Sequence, residues 1–346
     1  MIVELRSDTF TKPSAGMLSA MAGAETGDDV FSEDPSINKL ENMTAELFGM
    51  QAALYCPTGT MSNQVAIKVH TQPGDEVICD RSAHVFLYEG GGIAFNSGSQ
   101  VRLLEGDRGR INAFQVGESI NNKNDVHKAN TSLVCLENTC NRGGGSCYEI
   151  NEIAAIRDVC DANDLKLHLD GARLFNALVA TGQKATDYGK LFHSISLCLN
   201  KGLGCPMGSM LAGTKEFIRR ARRVRKVLGG GMRQAGYMAA CGIYALENNI
   251  DRLALDHDHA KQIAASLNGA SYVSKVHPVD TNIIVFDVTA GISAENIAKK
   301  FEDANIRVMA IAPTQIRMVT HLDVSAEMVD YVVDFITNSN ADKWTR

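Results

Sequence analysis

From about residue 50 to residue 215, short apolar runs alternate with segments of helical length. The runs fall at 53–56, 76–79, 94–96, 101–104, 133–137, 166–170, 194–199 and 209–212. Strands that are apolar on both faces and separated by helices build a parallel or mostly parallel sheet covered on both sides. Ligands of such sheets gather beyond the carboxyl ends of the strands. Glu137, Asp170 and Lys201 stand at or just after strand ends, so these polar groups are expected on one rim.

Beyond residue 215 the rhythm changes. Residues 216–247 read as helix, strongly basic from Arg219 to Lys226 and alanine-rich later, with Gly229, Gly230 and Gly231 dividing it in two. An amphipathic helix over 251–267 leads into strands at 281–288, 306–311 and 315–320, a helix at 293–303 and a last helix from 325. The expected fold is α/β: a large domain, 1–250, with an N-terminal arm and a mostly parallel, seven-stranded type of sheet between helices, then a smaller α+β domain, 251–346.

Composition narrows the class. The 346 residues are 45% hydrophobic and 21% charged, ordinary for a globular chain, and the seven prolines form no linker. With 34 basic and 40 acidic side chains the formal charge is −6, so the one basic run suggests local anion binding, not nucleic acid. The nine cysteines are odd in number and form no Cys-x-x-Cys pair, which points to a reducing compartment. The first residues carry neither a signal nor a transit pattern, and no stretch reaches the roughly 18 apolar residues of a membrane span. A cytoplasmic protein without a membrane partner is expected.

The candidate chemistry centres on Lys201, which opens onto glycines after an apolar run and is placed to hold an aldehyde cofactor. The alternative is a charge reaching solvent at a strand end. Thirty-one residues earlier, Asp170 ends His168-Leu169-Asp170-Gly171-Ala172-Arg173. A carboxylate there can keep a pyridine nitrogen protonated, which makes the ring an electron sink; otherwise it caps a helix and pairs with Arg173. Cys56-Pro57-Thr58-Gly59-Thr60-Met61-Ser62-Asn63 turns from strand to helix, and its backbone N–H groups and hydroxyls suit a phosphate. Together these imply pyridoxal 5'-phosphate. His84 can stack on its ring or move protons. Asp256-His257-Asp258-His259 reads as a surface helix and not a metal site, since successive helical residues point apart; His70, His193 and His277 read as structural.

Further segments carry a resemblance: Leu5-Arg6-Ser7-Asp8-Thr9, Gly27-Asp28-Asp29-Val30, Ala83-His84, Leu136-Glu137-Asn138-Thr139, Lys201 to Ser209, Gly230 to Gly236 and Arg317-Met318-Val319-Thr320-His321-Leu322-Asp323. With the motifs above, in order along nearly the whole chain, they resemble the L-threonine aldolases, pyridoxal-phosphate lyases of the aspartate-aminotransferase fold (fold type I). The resemblance implies Lys201 bonded to the cofactor aldehyde, Asp170 on the pyridine nitrogen, His84 against the ring, and Thr58, Gly59 and Thr60 at the phosphate. It also implies Ser7, Arg173 and Arg317 on the substrate carboxylate, and His127 and Tyr88 near the hydroxyl and methyl. Lys226 and Arg233, with Arg225, would lie near a subunit boundary, reaching a neighbour's phosphate. The implied reaction is reversible cleavage of L-threonine or L-allo-threonine to glycine and acetaldehyde in a homotetramer with sites at dimer interfaces. Phe31, Cys140 and Cys205 depart from the family pattern. β-Elimination and transamination remain open on the same anchors; a nicotinamide oxidoreductase is disfavoured because no Gly-x-Gly-x-x-Gly opens a helix after the first strand.

Overall fold

The structure is a computed structural model and describes residues 1–338. Residues 339–346, the end of the segment assigned to the smaller domain, lie outside the described residues. The chain opens with a short strand, β1 (Val3–Glu4). Seven further strands follow: β2 (Ala52–Cys56), β3 (Asp75–Asp80), β4 (Gln100–Leu104), β5 (Asn130–Glu137), β6 (Lys166–Asp170), β7 (Ser194–Cys198) and β8 (Ser209–Gly213). They form one seven-stranded sheet in the order β2-β8-β7-β6-β5-β3-β4. Only β8 runs against the rest, pairing antiparallel with β2 and β7. The carboxyl ends of β2, β5, β6 and β7 therefore share one rim.

The apolar runs are continuous because both faces of this sheet are covered. Val134 and Leu136 of β5 enter one core with Ile153, Ile156 and Leu169, while Leu133 and Cys135 enter another with Ile67, Val77 and Ile93. Side chains alternate across a strand, so one apolar run feeds two cores.

One expected strand is absent. Residues 94–96 lie in a π-helical turn, Ile93–Ser97, entered through Gly90 and Gly91 at φ 62° and 72°. Phe95 is 89% exposed there. A run this short carries too little periodicity to separate strand from turn, and the positive-φ glycines decide the path.

The remaining strands are β9 (Val273–Val276), β10 (Ile283–Val288), β11 (Ile306–Arg307), β12 (Met309–Ala312) and β13 (Gln315–Val319). Four of them make an antiparallel sheet, β12-β13-β10-β9, and β11 pairs in parallel with β1. The single run expected at 306–311 is thus two strands serving two sheets. Ile284, Phe286 and Met318 meet Ile263, Ile297, Phe301 and Val332 from the helices Leu253–Leu267, Ala294–Asp303 and Ala326–Asn338 in a separate core.

The helix Leu253–Leu267 corrects another expectation. Asp256, His257 and His259 are buried and not on a surface face. Asp256 accepts two hydrogen bonds from Arg252 at 2.5 and 3.0 Å, and His257 Nε2 meets Asn176 Nδ2 at 3.2 Å. Burial holds His257 neutral, its pKa lowered to about 4. His70, His193 and His277 are structural, bonded to Ser194, the Leu167 amide and Asp287 respectively.

Candidate active site

The rim closes around a cavity of about 170 Å³ lined by Thr58, Gly59, Thr60, Asn63, His84, Asp170, Ala172, Cys198, Asn200 and Lys201. The side chains arrive from the capped helix Gly59–His70, the ends of β6 and β7, and the segment of His84. β2 ends at Cys56, and the helix Gly59–His70 begins at once, capped by Thr58 Oγ1, which accepts from Met61 N at 3.1 Å. A Cβ on Gly59 would sit 2.5 Å from Cys198 Sγ, so only glycine lets this helix start so near the end of β7. The helix N-terminus and its N–H groups border the cavity, as an anion seat requires.

β6 ends at Asp170, whose Oδ2 accepts from Asn63 Nδ2 at 2.9 Å and whose Oδ1 accepts from Ala172 N at 3.1 Å. Asn63 is one turn into the capped helix and is fixed from behind: its Oδ1 accepts from Ser196 Oγ at 2.6 Å and faces His168 Nε2 at 3.1 Å. Burial keeps His168 neutral, its pKa lowered to about 4. Lys201 follows β7 by three residues, in the turn closed by the 2.8 Å bond from Gly204 N to Lys201 O. No side-chain hydrogen bond engages its ammonium among the described residues, and it faces the cavity with Asp170.

His84 sits over the same space. Its backbone N donates to Glu137 Oε2 at 2.7 Å, and its Nδ1 meets Glu89 Oε1 at 2.9 Å. Burial works against its charge but is outweighed by the Glu89 hydrogen bond and by Asp170, so its pKa is raised. Glu137 is pushed up to about 7, first by burial and then by Asp170. His84, Glu89 and Asp170 bring ligand atoms within 4.8 Å of one another, an approach explained by the Asn63 amide, which donates to both carboxylates.

A cationic wall stands beside this. Arg173, just past β6, donates through Nε and Nη2 to Asp8 at 2.7 Å each, and both residues are buried. Burial alone would raise the Asp8 pKa; Arg173, with Lys201 and His321, brings it down to about 2. So Arg173 pairs with Asp8 and leaves Asp170 free to face the cavity. Arg317 on β13 donates to Asn141 Oδ1 at 3.0 Å and to the Arg6 carbonyl at 3.1 Å, while its buried Nε has no partner. Burial and the nearby Arg173 lower its pKa to about 10. Ser7 caps the turn Asp8–Phe10 and is buried against Asp8. An orphan guanidinium N–H beside a second arginine is a site short of an anion.

Other expected residues lie elsewhere on the chain. His127 is exposed, paired with Asp125 at 2.9 Å, on the loop that enters β5. β5 is eight residues, roughly 25 Å long at about 3.3 Å per residue, so His127 stands at the opposite end of the strand from Glu137. Lys226 and Arg233 are exposed and outside the cavity, Arg233 donating to Asp28 at 2.8 Å. Tyr88 is half-exposed, its ring 5.6 Å from that of His84. Of the three departures, Cys140 and Cys205 are buried and Phe31 is 68% exposed beneath Arg233. Asp8, Asn63 and Glu89 are members of the site that motif reading missed, although Asn63 lies one helical turn beyond Gly59 and on its face.

The donor set fits pyridoxal phosphate: an ammonium and a carboxylate face one small cavity, with a helix N-terminus at its edge. The profile described as beta-eliminating lyase matches residues 4–291. The chain is 42% identical over 330 residues to the low specificity L-threonine aldolase of Escherichia coli K12, covering 95% of this chain and 96% of that one. It is 40% identical to the probable low-specificity L-threonine aldolase 2 of Arabidopsis thaliana over 96% of this chain and 95% of that one. Among solved structures, threonine aldolase of Leishmania major superposes with a TM-score of 0.85 at 20% identity, covering 96% of this chain and 98% of that one. A putative L-allo-threonine aldolase of Listeria monocytogenes gives 0.81 at 21% identity, covering 97% and 95%.

Proposed function

This chain belongs to the beta-eliminating lyase family, and we propose that it acts there as an aldehyde-lyase, splitting L-threonine and L-allo-threonine to glycine and acetaldehyde and running the reverse addition. It is a pyridoxal-phosphate enzyme. The observation that carries the reading is Lys201 and Asp170 facing one cavity at the N-terminus of the capped helix.

Bound cofactor supplies an electron sink for the pair released when a bond to the substrate α-carbon breaks. Lys201 is the residue that holds its aldehyde, Asp170 the partner of its ring nitrogen, and the N–H groups at Gly59 and Thr60 the seat of its phosphate. The chain's other residues choose the bond. The free Nε of Arg317, with Arg173 and Ser7, would hold the substrate carboxylate and so select which bond to the α-carbon breaks. His84 borders the side where the β-hydroxyl lies, and a proton leaving that oxygen moves to imidazole.

The assembly belongs to the same proposal. His127, Lys226 and Arg233 serve a site only from a neighbouring copy, which favours a homotetramer with sites at dimer interfaces. The division near residue 250 separates a cofactor unit from a smaller unit carrying Arg317. All nine cysteines are free thiols, which favours the cytoplasm, and among the described residues no helix is long and apolar enough to cross a membrane.

Purified protein given L-threonine is expected to form glycine and acetaldehyde in equal amounts. The Lys201→Ala variant should lose this activity and the borohydride-sensitive yellow colour. Pyruvate or another keto acid in place of acetaldehyde would mean elimination or transamination and overturn the reading.

A further inference from the structure

The mechanism leaves unused the buried carboxylate that the His84 ring itself contacts. Glu89 is buried, and three donors converge on it: Asn63 Nδ2 at 2.9 Å, Gln64 Nε2 at 2.6 Å and His84 Nδ1 at 2.9 Å. Two of these are amides, which can only donate to a carboxylate through nitrogen. Their carbonyl oxygens are committed elsewhere, Asn63 Oδ1 to Ser196 and His168, and Gln64 Oε1 to Asn96 Nδ2 at 3.1 Å. Neither amide can flip without breaking those bonds. Glu89 is thus fixed as an acceptor, and the hydrogen between it and His84 resides on Nδ1.

We infer that Glu89 is a positioning residue for the aldol reaction: it holds His84 in the Nδ1–H tautomer, leaving Nε2 as the basic nitrogen that faces the cavity, and ties it through Asn63 to Asp170. The inference rests on the aldolase reading above. Nε2 has no protein partner among the described residues, whereas Nδ1 has one. In the cleavage direction the β-hydroxyl proton passes to Nε2 and the O–H electron pair becomes the second bond of the aldehyde carbonyl. The Cα–Cβ pair would be taken up by the electron sink that bound cofactor supplies. The imidazolium that forms keeps its Nδ1–H on Glu89, which balances the new charge. In the reverse direction the same nitrogen returns the proton.

The charged groups that face His84 come from every neighbouring element. Glu89 lies on its own segment, Glu137 ends β5, Asp170 ends β6, and Lys201 follows β7; Tyr88 packs on the ring. Burial and Lys201 oppose a charge on the ring, but the Glu89 hydrogen bond and the Asp170 and Glu89 carboxylates outweigh them, in line with the raised pKa of His84. Glu89 is the one carboxylate that the ring itself hydrogen-bonds.

The test uses the holoenzyme and its Glu89→Gln variant, which keeps the shape but removes the charge. The expected result is a loss in kcat of about 100-fold or more, KM for L-threonine within about threefold, and an acidic limb of the kcat/KM profile moved to lower pH. In a His84→Asn background the same change should cost little, because Glu89 acts through His84. Histidine labelled with nitrogen-15 gives a second readout: the resonance absent from His84→Asn should report a protonated Nδ1 in the parent protein. An unshifted pH limb, a full additional loss in the His84→Asn background, or a neutral ring above that limb with its proton on Nε2 and a bare Nδ1 would each overturn the inference. Should Glu89→Gln fail to fold, the labelled parent still decides. Absence of acetaldehyde from the parent enzyme would sink the aldolase reading instead, and the tautomer measurement stands apart from it.

Discussion

Asp8 sets what Arg173 can do. A buried guanidinium without a counter-charge is costly, and Asp8 holds two of its nitrogens, leaving Nη1 for the substrate carboxylate that the proposed function places there. The Asp8→Asn variant keeps the shape and loses the charge. It should destabilise the protein by about 3–5 kcal/mol, and surviving enzyme should bind L-threonine more weakly, with KM raised roughly tenfold for each 1.4 kcal/mol lost. Against the effect of burial, Arg173 holds the folded-state pKa of Asp8 down to about 2, below its ordinary value of 3.8. Its contribution is therefore present above about pH 4 and lost as pH falls through 2. Denaturant titrations of both proteins between pH 7 and pH 2 check this: the wild-type advantage should shrink over the acid end only, and a constant difference would refute the assignment. Lys201, Asp170 and His84 were legible as residues because strand ends and glycines flank them. Asp8 and Glu89 were not, since a buried pair is made by neighbours 165 residues apart for Arg173 and Asp8, and spacing along the chain carries no trace of it.

Secondary-structure elements matter here mainly through where they end. The capped helix can start against the tip of β7 only because Gly59 has no side chain in front of the Cys198 sulfur, 2.5 Å from where a Cβ would stand. Gly59→Ala should push the helix N-terminus outward and weaken cofactor affinity roughly tenfold, a loss of about 1.4 kcal/mol. Adding Cys198→Ala should recover most of it. Titration of cofactor-free protein by fluorescence measures both, and no recovery in the double variant would show that the contact is not the cause. The same logic of ends separates the expectations that held from those that did not. The runs of β2, β3 and β5 to β8 were visible because each is long enough to fill cores on two sides. The run at 94–96 was too short, and the sequence around Asp256 hid its burial because a helix pattern reports a face without saying what covers it.

Across the whole molecule, one chain brings Lys201, Asp170 and His84 to one cavity, whereas His127, Lys226 and Arg233 lie outside it. Lys226 lies in the last turn of the helix Lys215–Val227 and Arg233 beyond it; on that helix Arg219 pairs with Glu216, Arg222 with Asp29 and Glu41, and Arg225 with Asp29. Lys226 has no such pairing among the described residues. If it serves a neighbour's phosphate, Lys226→Glu and Lys201→Ala damage different halves of a shared site. Mixing the two inactive variants, with unfolding and refolding to exchange subunits, should restore activity at roughly a quarter of the sites. No recovery, with mixed oligomers demonstrated by mass, would place Lys226 outside the reaction.

By itself the amino-acid sequence determined most strands of the mainly parallel sheet and brought forward Lys201, Asp170 and Gly59-Thr60 as candidates at its strand ends, because local periodicity and strand-end glycines are properties of neighbours in the chain. Only the tertiary structure decided that Arg173 faces Asp8, that Asn63 joins Glu89 to Asp170, and that His127 stands at the far end of β5 from them. Those are contacts between residues brought together by packing, and burial in a low-dielectric rim is what gives each of them its charge state and its use.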